Sequence, residues 1–524
     1  MLNTAAGKRM MLSARMLAHR LVARAESSTT STPRTFFSQV PHPTPTTSLS
    51  TPRLGKRKVA LFVGYDGTSY RGLQQQPSQQ HIQFDDGRQH TVEDVLEEAV
   101  YQSGGILESN RGSLGKINWS RSSRTDKRVH SLSTVISMKL ECNPELFETE
   151  PDGGSIADAI NEHLPPEVRV FAVQRVVKSF DARRECIRRH YNYYVPLSFL
   201  ELMISSVCKD NGIDGDNMCV EEVLKRLEGA WKSYAGHHAF HNFTKRRLYR
   251  PSFQQTRQGR DGEEVDEHET LPSSSSESQD AQEAQDAYDA SVSPTQEVTP
   301  GPMHRVKGTI NFEWKEERDD NDPIVRSHYR YIEECSCSQP MTLVEHGGVQ
   351  CVKLTVSGAS FMLHQIRHMV GAAVLVALGK MPQELLQAAL APPVRMNLPL
   401  APPGTLVLRG ADFGKFRKSY DGKPSATERS SGSSLRLLNG GIERRDAFEQ
   451  DVLFQGLNEQ LQHDDWLRWS ESLAMVRFNA EEATEIVGLA EEWMARREEM
   501  KRVRAALRED DSGYESVETI AEKL

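Results

Sequence analysis

Residues 251–303 hold twelve acidic side chains against two arginines, a run of serines from Ser273 to Ser276, and few apolar residues. A segment of this kind cannot bury enough apolar surface to offset the entropy of ordering it. It is therefore expected to be a disordered acidic insertion in a surface loop, reaching about 251–323 with its flank. Whatever folds must do so on either side of it. The chain has 524 residues, and at about 100–200 residues per domain this allows two to four folded units. A mean hydropathy of −0.57 agrees that a sizeable part stays outside any core. The apolar run from Met369 to Leu378 is interrupted by Gly371 and is too short to span a bilayer, which excludes an integral membrane protein. Seven cysteines without regular spacing exclude a disulfide scaffold. Cys335 and Cys337 have no second pair to complete a zinc site, so a reducing compartment is expected.

The ends differ from the middle. Residues 1–58 carry ten Lys or Arg and one acid, Glu26, with Leu12, Met16, Leu17 and Leu21 at helical spacing beside Arg15, Arg20 and Arg24. That composition suits an organelle transit peptide, mitochondrial first and chloroplast second; a basic nuclear or RNA-binding arm is the alternative. Residues 1–56 are read as this address plus a Pro/Ser/Thr linker. Between the ends, strand patterns at Lys58–Val63, Thr134–Leu140, Val168–Val177 and His190–Val195 alternate with helix patterns. One helix is capped by Thr91 with Asp94 three residues on; another runs from Ile156 to Leu164. The second half repeats the scheme with a helix at Val220–Lys232, strands at His328–Glu334 and Val349–Val356, and a helix over Phe361–Leu378. The expected organisation is an N-terminal half, 57–195, and a C-terminal half, 196–413, sharing one sheet in an α+β fold. A linker and a helical C-terminal extension occupy 414–524, with the last residues frayed.

Four segments carry candidate chemistry. Gly64 to Gln74 is a Gly- and Tyr-rich turn after a strand, without the spacing of a phosphate loop. Arg121 to His130 places Asp126 among basic residues, which predicts an ionised carboxylate with a depressed pKa, held in orientation by Arg124. Such a group can serve as nucleophile or base; the plain alternative is a surface ion pair. Phe180 to Tyr194 interleaves arginines with tyrosines, a pattern suited to phosphates and unpaired bases, although one of Tyr191 and Tyr193 is expected in the core. Gly358 to Gly371 opens a helix on which Arg367 needs a partner, with Asp126 the candidate. His364 and His368 lack the intervening Glu of a metal helix, so no metal is expected.

These four segments, in this order, resemble the TruA-type tRNA pseudouridine synthases, the eukaryotic branch above all. The resemblance rests on Gly64, Tyr65, Gly67, Tyr70, Gly72 and Gln74; on Arg124-Thr125-Asp126; on Arg189, Tyr191 and Tyr193; and on the unbroken Ser360 to Arg367. It covers roughly 57–250 and 324–413. The loop departs from the family at Arg128, where Gly is usual, and at Ser131 and Ser133. The resemblance implies two βαβ-rich halves sharing a mostly antiparallel sheet, with the active cleft between them. It implies isomerisation of uridine to pseudouridine in tRNA after base flipping, without any cofactor or nucleotide, by a monomer or homodimer. Asp126 would be the catalytic carboxylate. Tyr191, Arg124, Arg367, Gln74 and His130 would bind the substrate nucleotide. Arg183, Arg184, Arg189, Lys245 and Arg246 would meet the RNA backbone. The competing readings are a non-catalytic tRNA-binding or tRNA-folding protein on the same scaffold and, with less to support it, a metal-dependent RNA hydrolase.

Overall fold

In the computed structural model, Gly55–Tyr65 forms strand β1, whose side chains enter two different cores in turn. Val59, Leu61 and Val63 face one core, and Ala60 and Phe62 face the other. A strand apolar on both faces needs cover on both sides, and the elements that follow supply it. The structure describes residues 55–75, 90–211, 219–249, 308–317, 319–320, 322–414 and 434–509. The expected leader, the insertion as far as residue 307, the linker 415–433 and the tail 510–524 lie outside the described residues.

Eleven further strands follow β1: β2 (Ser120–Arg121), β3 (His130–Cys142), β4 (Val168–Arg175), β5 (Cys186–Pro196), β6 (Gly236–Ala239), β7 (Phe312–Trp314), β8 (Tyr329–Cys337), β9 (Met341–Thr342), β10 (Gln350–Gly358), β11 (Val394–Met396) and β12 (Leu406–Phe413). The main sheet runs β4-β1-β3-β12-β5-β10-β8-β6, with β2 on β3 and β9 on β10. Every neighbouring pair in it is antiparallel except β3 and β12, which run parallel at Val407↔His130 and Leu408↔Ser131. This is the α+β class with a shared, mostly antiparallel sheet. The last strand is laid between the halves, and the one parallel seam is where they meet.

Helices cover one face of each half. Under β1, β3 and β4 lie α1 (Val92–Gln102), with the expected Thr91/Asp94 capping box, and α2 (Gly154–Asn161). Under the other half lie α3 (Leu197–Asn211), α4 (Val220–Lys232), α5 (Gln365–Ala377) and α6 (Gln383–Ala388). Trp231 of α4 is fully buried there and donates its indole N–H to the carbonyl of Thr355. The C-terminal extension forms α7 (Asn439–Phe448), α8 (Phe454–Leu461), α9 (Asp465–Ala474) and α10 (Ala480–Glu509). Its Phe448, Leu453, Leu457 and Leu461 complete the second core, against Phe62, Phe171 and Val407. Helices α7 and α8 thus cover the back of the sheet, while Trp466, Trp469 and Leu473 of α9 and Ala483, Ile486 and Ala490 of α10 join the core of the C-terminal half.

The elements differ from expectation in three places. The helix expected from Phe361 starts at Gln365, because His364 adopts φ 60 and Met362 N–H is capped by the Gln365 side chain. The stretch 251–323 was expected as one insertion, yet its end carries β7, paired antiparallel with β11. Strand β5, placed at the end of the N-terminal half, pairs with β10 and β12 and so belongs spatially to the C-terminal side of the sheet. No helix among the described residues is long and apolar enough to cross a membrane.

Candidate active site

The Gly- and Tyr-rich turn after β1 is a cradle for the loop that carries Asp126. Thr68 N–H and hydroxyl both donate to the Asp66 carboxylate at 2.8 and 2.6 Å, fixing the turn. Leu73 N–H donates to the carbonyl of Thr125 at 3.2 Å, and Arg128 N–H to that of Tyr70 at 3.3 Å. The Tyr65 hydroxyl meets Thr125 Oγ1 at 2.8 Å in the core. Glycine is required at two of these contacts. A Cβ on Gly67 would stand 2.1 Å from the carbonyl oxygen of Val129, and one on Gly72, at φ +114, 2.7 Å from that of Thr125. The signature works through backbone contact with the loop, which a reading of the turn in isolation could not show.

The loop itself ends in a tight turn, with Val129 N–H donating to the carbonyl of Asp126 at 3.1 Å. Asp126 sits just before β3, at the parallel seam between the halves, with its side chain 32% exposed. The Nε2 of His364 is 3.5 Å from its carboxylate. The expectation of a depressed pKa does not hold. Burial raises the Asp126 pKa from its ordinary value, and the charges of Arg367 and Lys245 offset this only in part. The sequence shows neighbouring charges but not desolvation, and here desolvation prevails.

Arg367 has the partners that its place on an apolar helix requires. Its Nε–H donates to the carbonyl of Ala401 at 2.7 Å, and Asp126 supplies the opposite charge. Burial and the neighbouring cations lower the His364 pKa to about 3, so the imidazole beside Asp126 is neutral. His368 turns instead to the carbonyl of Leu398, 3.1 Å from its Nδ1, so the two histidines do not converge on a common point.

Tyr191 on β5 is 6% exposed, with its hydroxyl 2.7 Å from Ser123 Oγ and its ring edge-on to Phe361. Burial pushes its pKa up to about 12, so the phenol stays protonated. Tyr193 is the fully buried core member of the pair, donating to the carbonyl of Pro402 at 2.7 Å.

Several residues assigned from sequence have internal duties. His130 is fully buried: its Nδ1 accepts from Gly67 N–H at 3.1 Å and its Nε2 lies 2.7 Å from the carbonyl of Gly404. It locks the cradle to the loop before β12 and does not line the cleft. Arg189 donates to the carbonyls of Ser122, at 2.7 Å from Nη2, and of Ala359. It thereby clamps the Asp126 loop to the loop before α5, where strand ends leave carbonyls to be satisfied. Arg246 pairs with Asp322 at 3.0 Å. Lys245 is exposed and acts on both Asp126 and His364. Arg124 and Gln74 are half-buried in the two loops. Arg183 is half-buried and Arg184 exposed; Arg184 lines a cavity of about 390 Å³ with Lys58, Lys178 and Asp181. Sequence reasoning weighed His364 only as a metal ligand; its left-handed backbone, which turns the ring to Asp126, has no sequence signal.

Asp126 thus stands near the seam of the two halves, beside His364 and under the electrostatic influence of Arg367 and Lys245, and its own charge acts on the buried Tyr191. Residues 303–414 match the family model described as tRNA pseudouridine synthase. Among relatives, tRNA pseudouridine synthase 1 of Kluyveromyces lactis is 31% identical over 368 residues, 68% of this chain and 60% of that protein. The protein of the same name in Candida glabrata is 30% identical, over 71% of this chain and 63% of its own. The human pseudouridylate synthase 1 homolog is 25% identical, over 69% and 61%. This chain belongs to the TruA-type tRNA pseudouridine synthase family. The match spans a little under two thirds of the length of these relatives.

Proposed function

We propose that this protein isomerises uridine to pseudouridine in tRNA, with Asp126 as the catalytic carboxylate. The observation that carries this reading is the placement of Asp126. One carboxylate, on a turn clamped by the signature glycines, faces Arg367 at the junction of the halves. In the reaction the bond from ribose C1′ to N1 breaks, the uracil turns, and C1′ bonds to C5. The hydrogen of C5 is lost and N1 gains one, so the change is redox-neutral. A uridine within folded RNA must be flipped out to reach the turn. An ionised Asp126 whose pKa is raised is a better nucleophile or base than an ordinary carboxylate. Attack on the ribose, attack on the base and removal of a ribose proton are all within the means of one carboxylate. Tyr191, held by Ser123, would stack on the flipped uracil. Arg367 and Arg124 would orient Asp126 and fill the space that the base vacates. Gln74 would contact the nucleotide, and Lys245, Arg183 and Arg184 the RNA backbone. The leader expected in residues 1–56 would send the protein to an organelle. Incubation with a tRNA transcript and a metal chelator tests the reading: pseudouridine should form at an undiminished rate. Binding without product would favour the non-catalytic alternative, and strand cleavage abolished by chelator the hydrolase.

A further inference from the structure

We propose that the C-terminal helical extension is part of the catalytic unit, with Arg128 as a positioning residue that ties the turn carrying Asp126 to Asp465 and Gln460. The inference rests on the reading of Asp126 as the catalytic carboxylate. Arg128 is the third residue of the turn closed by Asp126 and Val129, and it has φ 64. This position of a turn favours glycine, because a side chain there strains the backbone. An arginine kept at such a position needs a return, and the structure supplies one. Its Nη1 donates to Asp465 Oδ2 at 2.6 Å and its Nη2 to Gln460 Oε1 at 2.8 Å, so that one guanidinium reaches acceptors on two separate helices, α9 and α8. All three side chains are largely removed from solvent, Gln460 almost wholly, which strengthens charge-assisted hydrogen bonds.

The acceptors are themselves held. The carbonyl of Gln460 accepts from Trp466 Nε1 at 3.0 Å. Trp466 packs on Tyr193 and Phe199, so its position is tied to the core of the C-terminal half. Asp465 opens α9 and lies near His463 and Arg468 as well. Gly404 completes the junction, since a Cβ there would stand 2.5 Å from Gln460 Oε1 while its carbonyl faces His130. The turn is therefore held from two sides, by the signature glycines in front and by α8 and α9 behind. The second hold comes from a part of the chain remote in sequence, and Arg128 carries a shift of α8 or α9 directly to the turn that holds Asp126.

The test uses the full chain with Arg128→Ala, Arg128→Gly, Asp465→Ala and the Arg128→Ala/Asp465→Ala double variant. Single-turnover formation of pseudouridine on a tRNA transcript, tRNA affinity, and hydrogen exchange of residues 122–130 without RNA are measured. Each single variant should lose about tenfold in rate, because small displacements at a reacting centre are costly, with little change in affinity. The double variant should be no slower than the singles, since both remove one contact. Deuterium uptake of the loop should rise in all four. Arg128→Gly separates positioning from folding: it relieves the backbone strain, so a purely structural role predicts an unchanged or more stable, fully active protein. That result, additive losses in the double variant, or unchanged uptake in the loop would overturn the proposal. If the unaltered protein forms no pseudouridine, the proposed function fails, and the exchange measurement still decides whether the tether exists.

Discussion

Replacement of Gly72 by Ala tests whether the signature turn acts as a mould for the catalytic loop. At φ +114 an alanine is strained in any surroundings, at a cost of about 1–3 kcal/mol. Its Cβ would also lie 2.7 Å from the carbonyl oxygen of Thr125, 3.3 Å from the carbonyl carbon of Asp126 and 3.4 Å from the nitrogen of Lys127. All three are backbone atoms, so relief requires the Asp126 turn to retreat by about half an ångström, with overpacking costs of about 1–3 kcal/mol. The total, about 2–6 kcal/mol, is a large part of the 5–15 kcal/mol that typically holds a protein folded. Part of it should appear as a lower melting temperature and part as displacement of Asp126. A misplacement of about 1 Å can cost about a hundredfold in rate, so a loss of ten- to a hundredfold is expected here. The comparison is Gly104→Ala, at φ +81 with nothing within 4 Å of the added Cβ. It should lose about 1 kcal/mol in stability and no activity. Single-turnover pseudouridine formation and thermal melts of both variants decide the matter. If Gly72→Ala is as active as Gly104→Ala, the mould argument is wrong.

Three further outcomes follow from the site and its surroundings. The acid limb of the rate should lie above the ordinary carboxylate range, since ionisation of Asp126 is pushed to higher pH by burial; a limb at or below about pH 4 would contradict this. His241 and His328, buried with pKa values lowered to about 3 and about 4, stay neutral in the fold and take protons near pH 6.5 when unfolded. Their contribution is complete above about pH 6.5 and is lost as pH falls towards about 4 and 3, costing about 2 kcal/mol each at pH 5, as denaturant titrations would show. Arg183→Ala with Arg184→Ala should weaken tRNA binding and flatten its salt dependence, because each phosphate contact releases counterions; an unchanged slope places the RNA elsewhere.

The parts of the fold legible in sequence were those with a local signal. Val59 to Val63 announces a strand buried on both faces, and Thr91 with Asp94 announces a helix start, because both depend on neighbours in the chain. Strand β12 and the pairing of β5 were not legible, since a parallel seam between residues 130 and 407 has no local trace. Arg-Thr-Asp and the glycines of the signature were recognisable by type and spacing, but their mutual contact was not. The pKa of Asp126 departs from expectation for a related reason: the chain shows the charges of Arg124, Lys127 and Arg128 within two residues, while burial and the acting charges of Arg367 and Lys245 come only with the fold. Arg189, Arg246 and His130 read as ligands for RNA because they are polar residues in matching motifs. The structure gives them carbonyls, a carboxylate and a glycine N–H to satisfy instead.

The proposed isomerisation of uridine rests on one carboxylate, Asp126. Asp126→Asn keeps the shape of the side chain and removes its charge, and the turn that carries it is held by backbone contacts that the change leaves intact. The direct measurement is pseudouridine content of a tRNA transcript after incubation with the unaltered protein and with this variant, alongside tRNA affinity. The unaltered protein should form pseudouridine, and Asp126→Asn should bind tRNA with similar affinity and form none. Product from the variant at a rate near that of the unaltered protein would contradict the assignment of Asp126.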